Sequence, residues 1–499
     1  MTNGDSPYAG DWRLLTTISP NSDGFRDRAR IRFRLREVAT VTIVVNRTKA
    51  NLEPLFERRA TFGPGLHTVD WAPPATILPR TYLLRVLVRD RRGRRWSYGA
   101  TAASVRKQTG PVVRIQGIDA AFEADSYRSG STASLRVATD ADDLTVQLYR
   151  SGPEFVPRLP RATMSGVPVG DPIEVPWRWK RSRHVIRVPI GDVDSGFYFA
   201  QLTAGDGRIG FAPFVVRPRI LGADARVAVV LPTCTWQAYN FQDVDGDGWG
   251  DTWYAGPRVR PRVELGRPFL DRGVPPHFAR YDVDFLHWLA WRKHAADYLS
   301  DSDLERFRSG AQLMRLYGLV VFAGHDEYVT PHVYRLVRQF RDLGGNLVFL
   351  SADNFYWRVL RRGSTIVRTS SWRSLGRPEA PLIGAQFVAA DGGGHQGPYI
   401  VRRARAAPWL FRGTGLRDGS RFGHFGIEID RKSRASPPGT RVLAQLPRGS
   451  GRRTADMTYY ETRRGAKVFA FGAFSLAGEA TQPPMDQLLE NLWARLSRP

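Results

Sequence analysis

Polar side chains that could do chemistry stand where three apolar runs of the sequence end. The runs and the side chains that follow them are residues 227–231 with Tyr239, residues 319–323 with His325 and Glu327, and residues 346–351 with Asn354. A histidine two residues before a glutamate can serve as an acid/base catalyst and as a metal ligand. The residues leave an alternative open, in which Glu327 caps the following helix and His325 bonds a backbone carbonyl.

The apolar runs predict the strands of a mostly parallel sheet. Residues 227–231 are apolar without interruption, as a strand buried on both faces requires. Between the runs, apolar residues recur at helical spacing, for example in residues 278–291 and 330–343. Strands that alternate with helices form parallel sheets, and the ligand crevice of such a sheet lies beyond the carboxyl ends of its strands. The polar residues at the three strand ends are therefore predicted to share one pocket.

Three segments carry a resemblance to a known family. They are LPTCTWQAYN at residues 231–240, GHDEYVT at residues 324–330 and GGNLVFLSADNFYWR at residues 344–358. In this order they resemble the C-terminal domain of the N,N-dimethylformamidase large-subunit family, over roughly residues 225–475. The resemblance implies a flavodoxin-like, three-layer α/β fold, similar to class I glutamine amidotransferases, for residues 219–499. It also implies a hydrolase of non-peptide amide C–N bonds.

The resemblance further implies a mononuclear iron site. In that family two tyrosines and one glutamate hold the iron, and the matching motifs place Tyr239 and Glu327 in this set. The second tyrosine should lie between them, and Tyr281 is the first choice by its separation from Tyr239. Tyr254 is the second choice.

Other pocket residues follow from the same resemblance. The matching motifs imply that His325 and Asn354 line the pocket, where His325 would pass a proton and Asn354 would orient the substrate. Glu428 resembles a pocket acid of the family, although a buried structural carboxylate is an equal alternative. The glycine run at residues 392–395 predicts a mobile loop that could act as a lid.

An acidic segment after Tyr239 has the pattern of a calcium-binding loop. Asp243, Asp245, Asp247 and Asp251 occupy positions one, three, five and nine, with glycine at position six. Position twelve, where calcium loops carry a bidentate acid, is Tyr254. The pattern therefore predicts weak calcium binding, and the alternative is a solvated Asp/Gly turn.

The first 218 residues predict two β-sandwich modules, at residues 1–108 and 109–218. In residues 28–36, arginines alternate with apolar residues, which is the period of a half-buried strand. Before this strand, residues 19–27 (SPNSDGFRD) resemble the first loop of immunoglobulin-like domains of the flagellar hook-capping type. Asp23 and Asp27 could bind a cation there, but capping of the turn is favoured. Trp177 and Trp179 of the second module could stack on carbohydrate, but core packing is favoured.

The composition limits the possible partners. The formal net charge is +25, but it comes from 67 arginines and six lysines spread along the whole chain. A basic, soluble surface is favoured over nucleic-acid binding, because no nucleic-acid motif is present. Cys234 is the single cysteine, which excludes an internal disulfide.

The sequence carries an expectation for the cellular compartment and none for the oligomeric state. The first residues show no signal peptide and no apolar run reaches the length of a membrane span. This predicts a cytoplasmic protein by default, with export still open. The competing function is non-enzymatic: a surface or carbohydrate-binding protein that keeps the α/β domain as a scaffold. The expected ligand is accordingly a small amide or a saccharide-like molecule.

Overall fold

Strands dominate the architecture of this protein. The computed structural model describes residues 7–10, 15–47, 53–99, 112–155, 162–180, 182–242, 244, 250–254, 262–390, 395–448, 453–474 and 476–497. In this part of the chain, strands account for 42% of the residues and helices for 15%.

Two sheets enclose the first hydrophobic core. Their strands are β1 (Tyr8–Gly10), β2 (Leu15–Ile18), β3 (Ala29–Leu35), β4 (Ala39–Asn46), β5 (Phe56–Phe62), β6 (Gly65–Trp71), β7 (Thr81–Asp90), β8 (Arg95–Gly99) and β9 (Val112–Ile115). One sheet has the order β1-β3-β6, and the other has the order β2-β9-β7-β4-β5 with β8 paired to β7. Because β3 alternates strictly, Ile31 and Phe33 enter the core while its arginines face solvent. The arrangement is sandwich-like, with one polar outer face on each sheet.

The turn before β3 is held by its own aspartates. Asp27 accepts hydrogen bonds from the backbone N–H groups of Ser22 and Gly24, and Asp23 accepts one from Phe25. Short aspartate side chains stabilise turns in this way. The two carboxylates therefore cap the turn.

A second pair of sheets follows, around its own core. The strands are β10 (Asp119–Phe122), β11 (Ser126–Arg128), β12 (Thr132–Ala138), β13 (Asp143–Ser151), β14 (Val167–Pro176), β15 (His184–Pro189), β16 (Gly196–Thr203) and β17 (Ile209–Arg217). The sheet orders are β10-β12-β15 and β11-β17-β16-β13-β14. Trp177 is buried in this core, and Trp179 stacks on His184 with ring centroids 3.4 Å apart. Both contacts agree with the core packing that the sequence favours for these two rings.

The remainder of the described chain forms a large mixed sheet and a small one. The strands are β18 (Val227–Leu231), β19 (Val263–Glu264), β20 (Asp297–Ser300), β21 (Leu319–Phe322), β22 (Tyr328–Val329), β23 (Asn346–Phe349), β24 (Trp357–Arg362), β25 (Thr365–Ser371), β26 (Gln386–Ala390), β27 (Gln396–Val401), β28 (Arg421–Arg431), β29 (Arg441–Arg448), β30 (Arg453–Glu461), β31 (Lys467–Ala470) and β32 (Ala473–Phe474). The large sheet has the order β20-β18-β21-β23-β31-β30-β29-β27-β28-β26, with β32 paired to β28. The small sheet has the order β19-β25-β24-β22.

Eight α-helices accompany these sheets in the described residues. They are α1 (Thr233–Ala238), α2 (Phe278–Tyr281), α3 (Val283–Trp291), α4 (Asp301–Leu304), α5 (Gly310–Leu316), α6 (Pro331–Asp342), α7 (Ala380–Ile383) and α8 (Met485–Leu496), and 3₁₀ turns occur at Arg373–Leu375, Ala404–Ala406 and Ala477–Glu479. Helix α6 begins after Thr330, whose hydroxyl accepts a hydrogen bond from the N–H of Val333. None of the helices in the described ranges is long and apolar enough to cross a lipid bilayer.

Strands β18, β21 and β23 are buried on both faces. Successive residues of each strand point to opposite sides, so Val229 and Val321 join the apolar cluster around α3 and α8. Val230 and Phe322 join the cluster around α6 on the other side. Two cores thus hold the three strands side by side and parallel.

The predicted flavodoxin-like, three-layer α/β domain is wrong. Strands β20, β18, β21, β23 and β31 are parallel, but the same sheet continues from β31 into antiparallel strands. The sequence prediction extended the strand–helix alternation of residues 226–351 to the end of the chain. Residues 396–474 instead supply antiparallel strands that pair with one another, including β27 with β28 and β29 with β30.

The second sandwich packs directly against the mixed-sheet region. Phe197 and Phe199 on β16 join the same apolar cluster as helix α3. Beside them lies a buried polar contact, in which the Nε2 atom of His287 on α3 is 3.1 Å from the Oε1 atom of Glu154. The Nδ1 atom of the same imidazole is 3.7 Å from an oxygen of Asp284. Burial by itself would lower the pKa of His287, but the hydrogen bonds with Asp284 and Glu154 outweigh it and raise the pKa to about 9.

This contact makes stability depend on pH. The folded-state pKa of His287 lies above the ordinary value of 6.5, so its proton stabilises the fold. The contribution is complete below about pH 6.5 and is lost as the pH rises through about 9, with a magnitude of up to about 3 kcal/mol. We expect the free energy of unfolding of His287→Gln, measured by denaturant titration from pH 6 to 10, to depend less on pH than that of the wild type.

A matched histidine variant provides the control. His67 has no carboxylate within ion-pair distance in the described part of the chain, so His67→Gln should keep the pH dependence of the wild type. Parallel pH profiles for the wild type and His287→Gln would contradict the assignment.

Candidate functional site

Three neighbouring parallel strands end at the same edge of the large sheet. Tyr239 follows β18 through helix α1, His325 and Glu327 follow β21, and Asp353 and Asn354 follow β23. The backbone at the strand ends is tied together by side chains. The N–H of Glu327 donates to the hydroxyl of Thr235 on α1 over 3.1 Å.

A second hydrogen bond holds the turn after β21, which contains Asp326. Its N–H donates to the Oδ1 atom of Asn354 over 3.1 Å. The Nδ2 atom of Asn354 is buried and has no acceptor among the described residues. One half of this amide therefore orders the backbone, and the other half remains available to a ligand.

Phenol side chains surround the Glu327 carboxylate. The phenols of Tyr239 and Tyr328 lie near enough to the Glu327 carboxyl to lower its pKa, against the larger increase from burial. The hydroxyl of Tyr254 is 3.3 Å from that of Tyr239 and also contacts that of Tyr328. The rings of Tyr239 and Tyr254 stack, with centroids 4.8 Å apart and 15° between the planes. Three phenols and one carboxylate thus form a compact cluster of oxygen atoms.

The imidazole of His325 lies between two carboxylates. Its Nε2 atom is 3.5 Å from the Oε2 atom of Glu327 and 3.5 Å from the Oε2 atom of Glu428. The ring also contacts Phe474, with ring centroids 4.6 Å apart, and Tyr239, with centroids 5.8 Å apart. Burial, with a smaller contribution from His277, lowers the pKa of His325 to about 3. The imidazole is therefore neutral near pH 7.

Asp353, Glu428 and the same imidazole form a second cluster of potential metal ligands. One ligand atom each from His325, Asp353 and Glu428 lies within 4.8 Å of the other two, which is close enough for a shared ion. The backbone of Asp353 has a φ of +53°, a conformation that is rare for residues other than glycine. Its N–H donates to the Oδ1 atom of Asp430 over 2.8 Å, which holds the carboxylate in place.

Burial and neighbouring acids raise the pKa values of Glu327 and Asp353. Burial raises the pKa of Glu327 well above its ordinary value, and Glu428 raises it further. Burial also raises the pKa of Asp353, with further increases from Glu327 and Glu428. Neither Glu327 nor Asp353 has an arginine or lysine within ion-pair distance in the described ranges. A bound cation would relieve this repulsion.

The fit of a metal can be judged from the atoms without partners. The Oε2 atom of Glu327, the Oδ1 atom of Asp353 and the Nε2 atom of His325 are buried and have no hydrogen-bond partner among the described residues. Buried polar atoms normally have partners, so such a set points to a ligand or an ion. Phenol and carboxylate oxygens are hard donors, which fit a hard cation.

The structure brings Tyr239, His325, Glu327 and Glu428 together at one edge. Tyr281 is the last residue of α2. Its ring packs against Phe474, with centroids 5.2 Å apart. Burial raises the pKa of Tyr281 to about 12, and Glu428 contributes to the increase.

The predicted calcium loop and lid fall mostly outside the described residues. Asp243, Asp245, Asp247 and residues 391–394 belong to these segments. Asp251 is described, and its Oδ2 atom accepts a hydrogen bond from the N–H of Val244 over 2.7 Å.

Sequence reasoning missed two members of the site. Tyr328 stands directly after Glu327, and Asp353 stands directly before Asn354. Both lie inside segments that the sequence analysis had already marked as strand ends. The available signal was the local density of polar residues after a buried strand, but it does not say which neighbour turns inward.

Comparisons with known proteins place these residues in context. No curated protein matches this sequence. Among solved structures, that of E. coli alpha-2-macroglobulin in its native conformation has 10% sequence identity and a TM-score of 0.23. The similarity covers 42% of this chain and 16% of that chain, which is too low to support any argument.

A family model matches residues 171–484, which is more than half of the chain. The matched range contains every member of the site described above. The chain belongs to the family described as N,N-dimethylformamidase beta subunit-like, C-terminal.

Proposed function

We propose that this protein is a metal-dependent hydrolase of a small, non-peptide amide. One observation carries the proposal: the buried Glu327 carboxylate keeps one oxygen without a partner inside a ring of phenols, 3.5 Å from the imidazole of His325. The family described as N,N-dimethylformamidase beta subunit-like supports the choice of a linear amide as the substrate class. Such a set of groups has no evident structural purpose, because every member costs free energy to bury.

Glu327 and Tyr239 would hold the metal together with a second phenol. Tyr254 is the candidate by position, because its hydroxyl is 3.3 Å from that of Tyr239. Tyr281 is the candidate that the family resemblance implies. Iron is the metal proposed for this all-oxygen set. When bound, such an ion supplies Lewis acidity that polarises a carbonyl group or lowers the pKa of water.

The chain's own residues would handle the proton and the substrate. The neutral imidazole of His325 can accept a proton from water and deliver it to the leaving amine nitrogen. Glu428, 3.5 Å from that imidazole, can stabilise the imidazolium form. The free Nδ2 atom of Asn354 can donate to the substrate oxygen as negative charge develops on it. The side chains of His325 and Glu428 are 12% and 16% exposed, so a substrate would approach from their side.

Removing the Glu327 charge should remove the metal. We expect Glu327→Gln to lose bound iron and amidase activity together, because an amide is a much weaker ligand for a hard cation than a carboxylate. Elemental analysis of protein expressed with iron, manganese and zinc supplied is the measurement. Glu37→Gln, a change at an exposed acid of the first sandwich, should behave as the wild type. A wild type that binds none of these metals would contradict the proposal.

The same assay should distinguish the role of His325 from that of Glu327. We expect His325→Ala to retain iron while kcat falls by roughly 10² to 10⁴, as for the loss of an acid/base group. Metal content and turnover are measured on the same preparation. Loss of iron equal to that of Glu327→Gln would instead make His325 a ligand.

Phenol variants should identify the second tyrosine. Ferric iron bound by tyrosinate absorbs visible light, so each phenol that binds it contributes to the colour. We expect Tyr239→Phe to lose the visible band, and a comparison of Tyr254→Phe with Tyr281→Phe shows which of them shares the metal. Equal colour in Tyr239→Phe and the wild type would exclude Tyr239 from the site.

A further inference from the structure

The outer face of the six-stranded sheet in the first sandwich carries an array of arginines. Strand pairing places Arg89 of β7 directly opposite Arg95 of β8. On the same face, Arg85 of β7 lies beyond Leu87, and Arg59 of β5 stands opposite Thr42, which is itself opposite Leu87. We call Arg59, Arg85, Arg89 and Arg95 the arginine array. They line a shallow groove of about 520 Å³.

The array is not neutralised by the protein. None of its four guanidinium groups has a carboxylate within ion-pair distance in the part of the chain that the structure describes, and Arg85 donates from Nε to the hydroxyl of Ser97 over 3.1 Å. Like charges directly opposite each other on a sheet are destabilising. Asp90, which follows Arg89 in the sequence, instead pairs with Arg94 of the turn at 2.6 Å. A face that keeps this repulsion is suited to an anionic ligand.

Hydroxyl groups lie among the arginines. Thr40 and Thr42 of β4 stand opposite Arg89 and Arg59, Thr61 follows Arg59 on the same face of β5, and Ser97 lies on β8. Guanidinium groups bind carboxylate and sulfate groups with two parallel hydrogen bonds, and threonine and serine hydroxyls suit the hydroxyls of a sugar. This combination matches an acidic saccharide.

Nucleic acid fits the same face less well. Proteins that bind single-stranded nucleic acid offer exposed aromatic rings on which the bases stack. Proteins that read duplex DNA insert a helix or a β-ribbon into the major groove of the DNA. The one aromatic ring at the groove, Trp96, packs against the core of the sandwich. The face itself is a sheet whose outward residues are arginine, threonine, serine, leucine, valine and one glutamate, Glu57.

We propose that the arginine array binds an acidic polysaccharide through its carboxylate or sulfate groups. The site is separate from the cluster around Glu327 and does not depend on the hydrolase activity. The proposal assigns one ligand class, acidic polysaccharides, to the exposed arginines of the first sandwich.

The test compares two triple variants of the full-length chain with equal charge change. One removes part of the array (Arg85→Gln, Arg89→Gln, Arg95→Gln), and the other removes exposed arginines on or just after β3 in the opposite sheet (Arg32→Gln, Arg34→Gln, Arg36→Gln). The outer faces of the two sheets point in opposite directions, because both sheets cover one core. Binding to polygalacturonate, dextran sulfate, neutral dextran and a short DNA duplex is measured by calorimetry near 0.15 M salt.

The wild type should bind at least one of the two acidic polysaccharides and not neutral dextran, and comparison of the two shows whether carboxylate or sulfate is preferred. We expect the array variant to bind about 10- to 100-fold more weakly, from the loss of three exposed ion pairs. The β3 variant should stay within about twofold of the wild type. Melting temperatures of both variants verify folding, and Arg89→Gln with Arg95→Gln serves if the half-buried Arg85 proves necessary for the fold.

Three results would overturn the proposal. Equal weakening in both triple variants would show that only the net charge matters. Tighter binding of the DNA duplex than of either acidic polysaccharide would assign the face to nucleic acid. A wild type that binds neither polygalacturonate nor dextran sulfate would remove the site.

Discussion

Three carboxyl groups, of Glu327, Asp353 and Glu428, lie around the imidazole of His325. Their mutual repulsion is the constraint on which the rest of the molecule depends. Burial and proximity both favour the neutral acid, as the raised pKa values of Glu327 and Asp353 reflect. Such a cluster persists only if other interactions outweigh its cost. The scaffold must therefore contribute a large surplus of apolar burial close to the site.

That surplus comes from the strands that carry the cluster. Strands β18, β21 and β23 are buried on both faces by two separate apolar clusters, so their ends are held rigidly. The second sandwich adds to one of these clusters through Phe197 and Phe199. The antiparallel half of the sheet contributes Glu428 from β28. Parallel and antiparallel strands are thus both needed to assemble one site.

The arginines that give the chain its positive charge fall into two groups. Arginines such as Arg94 and Arg373 are paired with acids, and these pairs stabilise turns and short segments. Among the described residues, no carboxylate lies within ion-pair distance of the arginine array, which occupies the outer face of the first sandwich. The total of +25 therefore combines arginines with structural roles and arginines available to a partner.

The sequence by itself determined which residues stand at the ends of buried strands. Uninterrupted apolar runs before Tyr239, His325 and Asn354 require strands covered on both faces, and strict alternation in β3 requires a half-buried one. Only the tertiary structure decided that the sheet continues into antiparallel strands, and that Asp353 and Tyr328 join the site. Local periodicity states which face of a strand is buried, but the partner strand is chosen by packing between residues far apart in the chain. For that reason the three-layer prediction was wrong, while the residues at the strand ends could be named in advance.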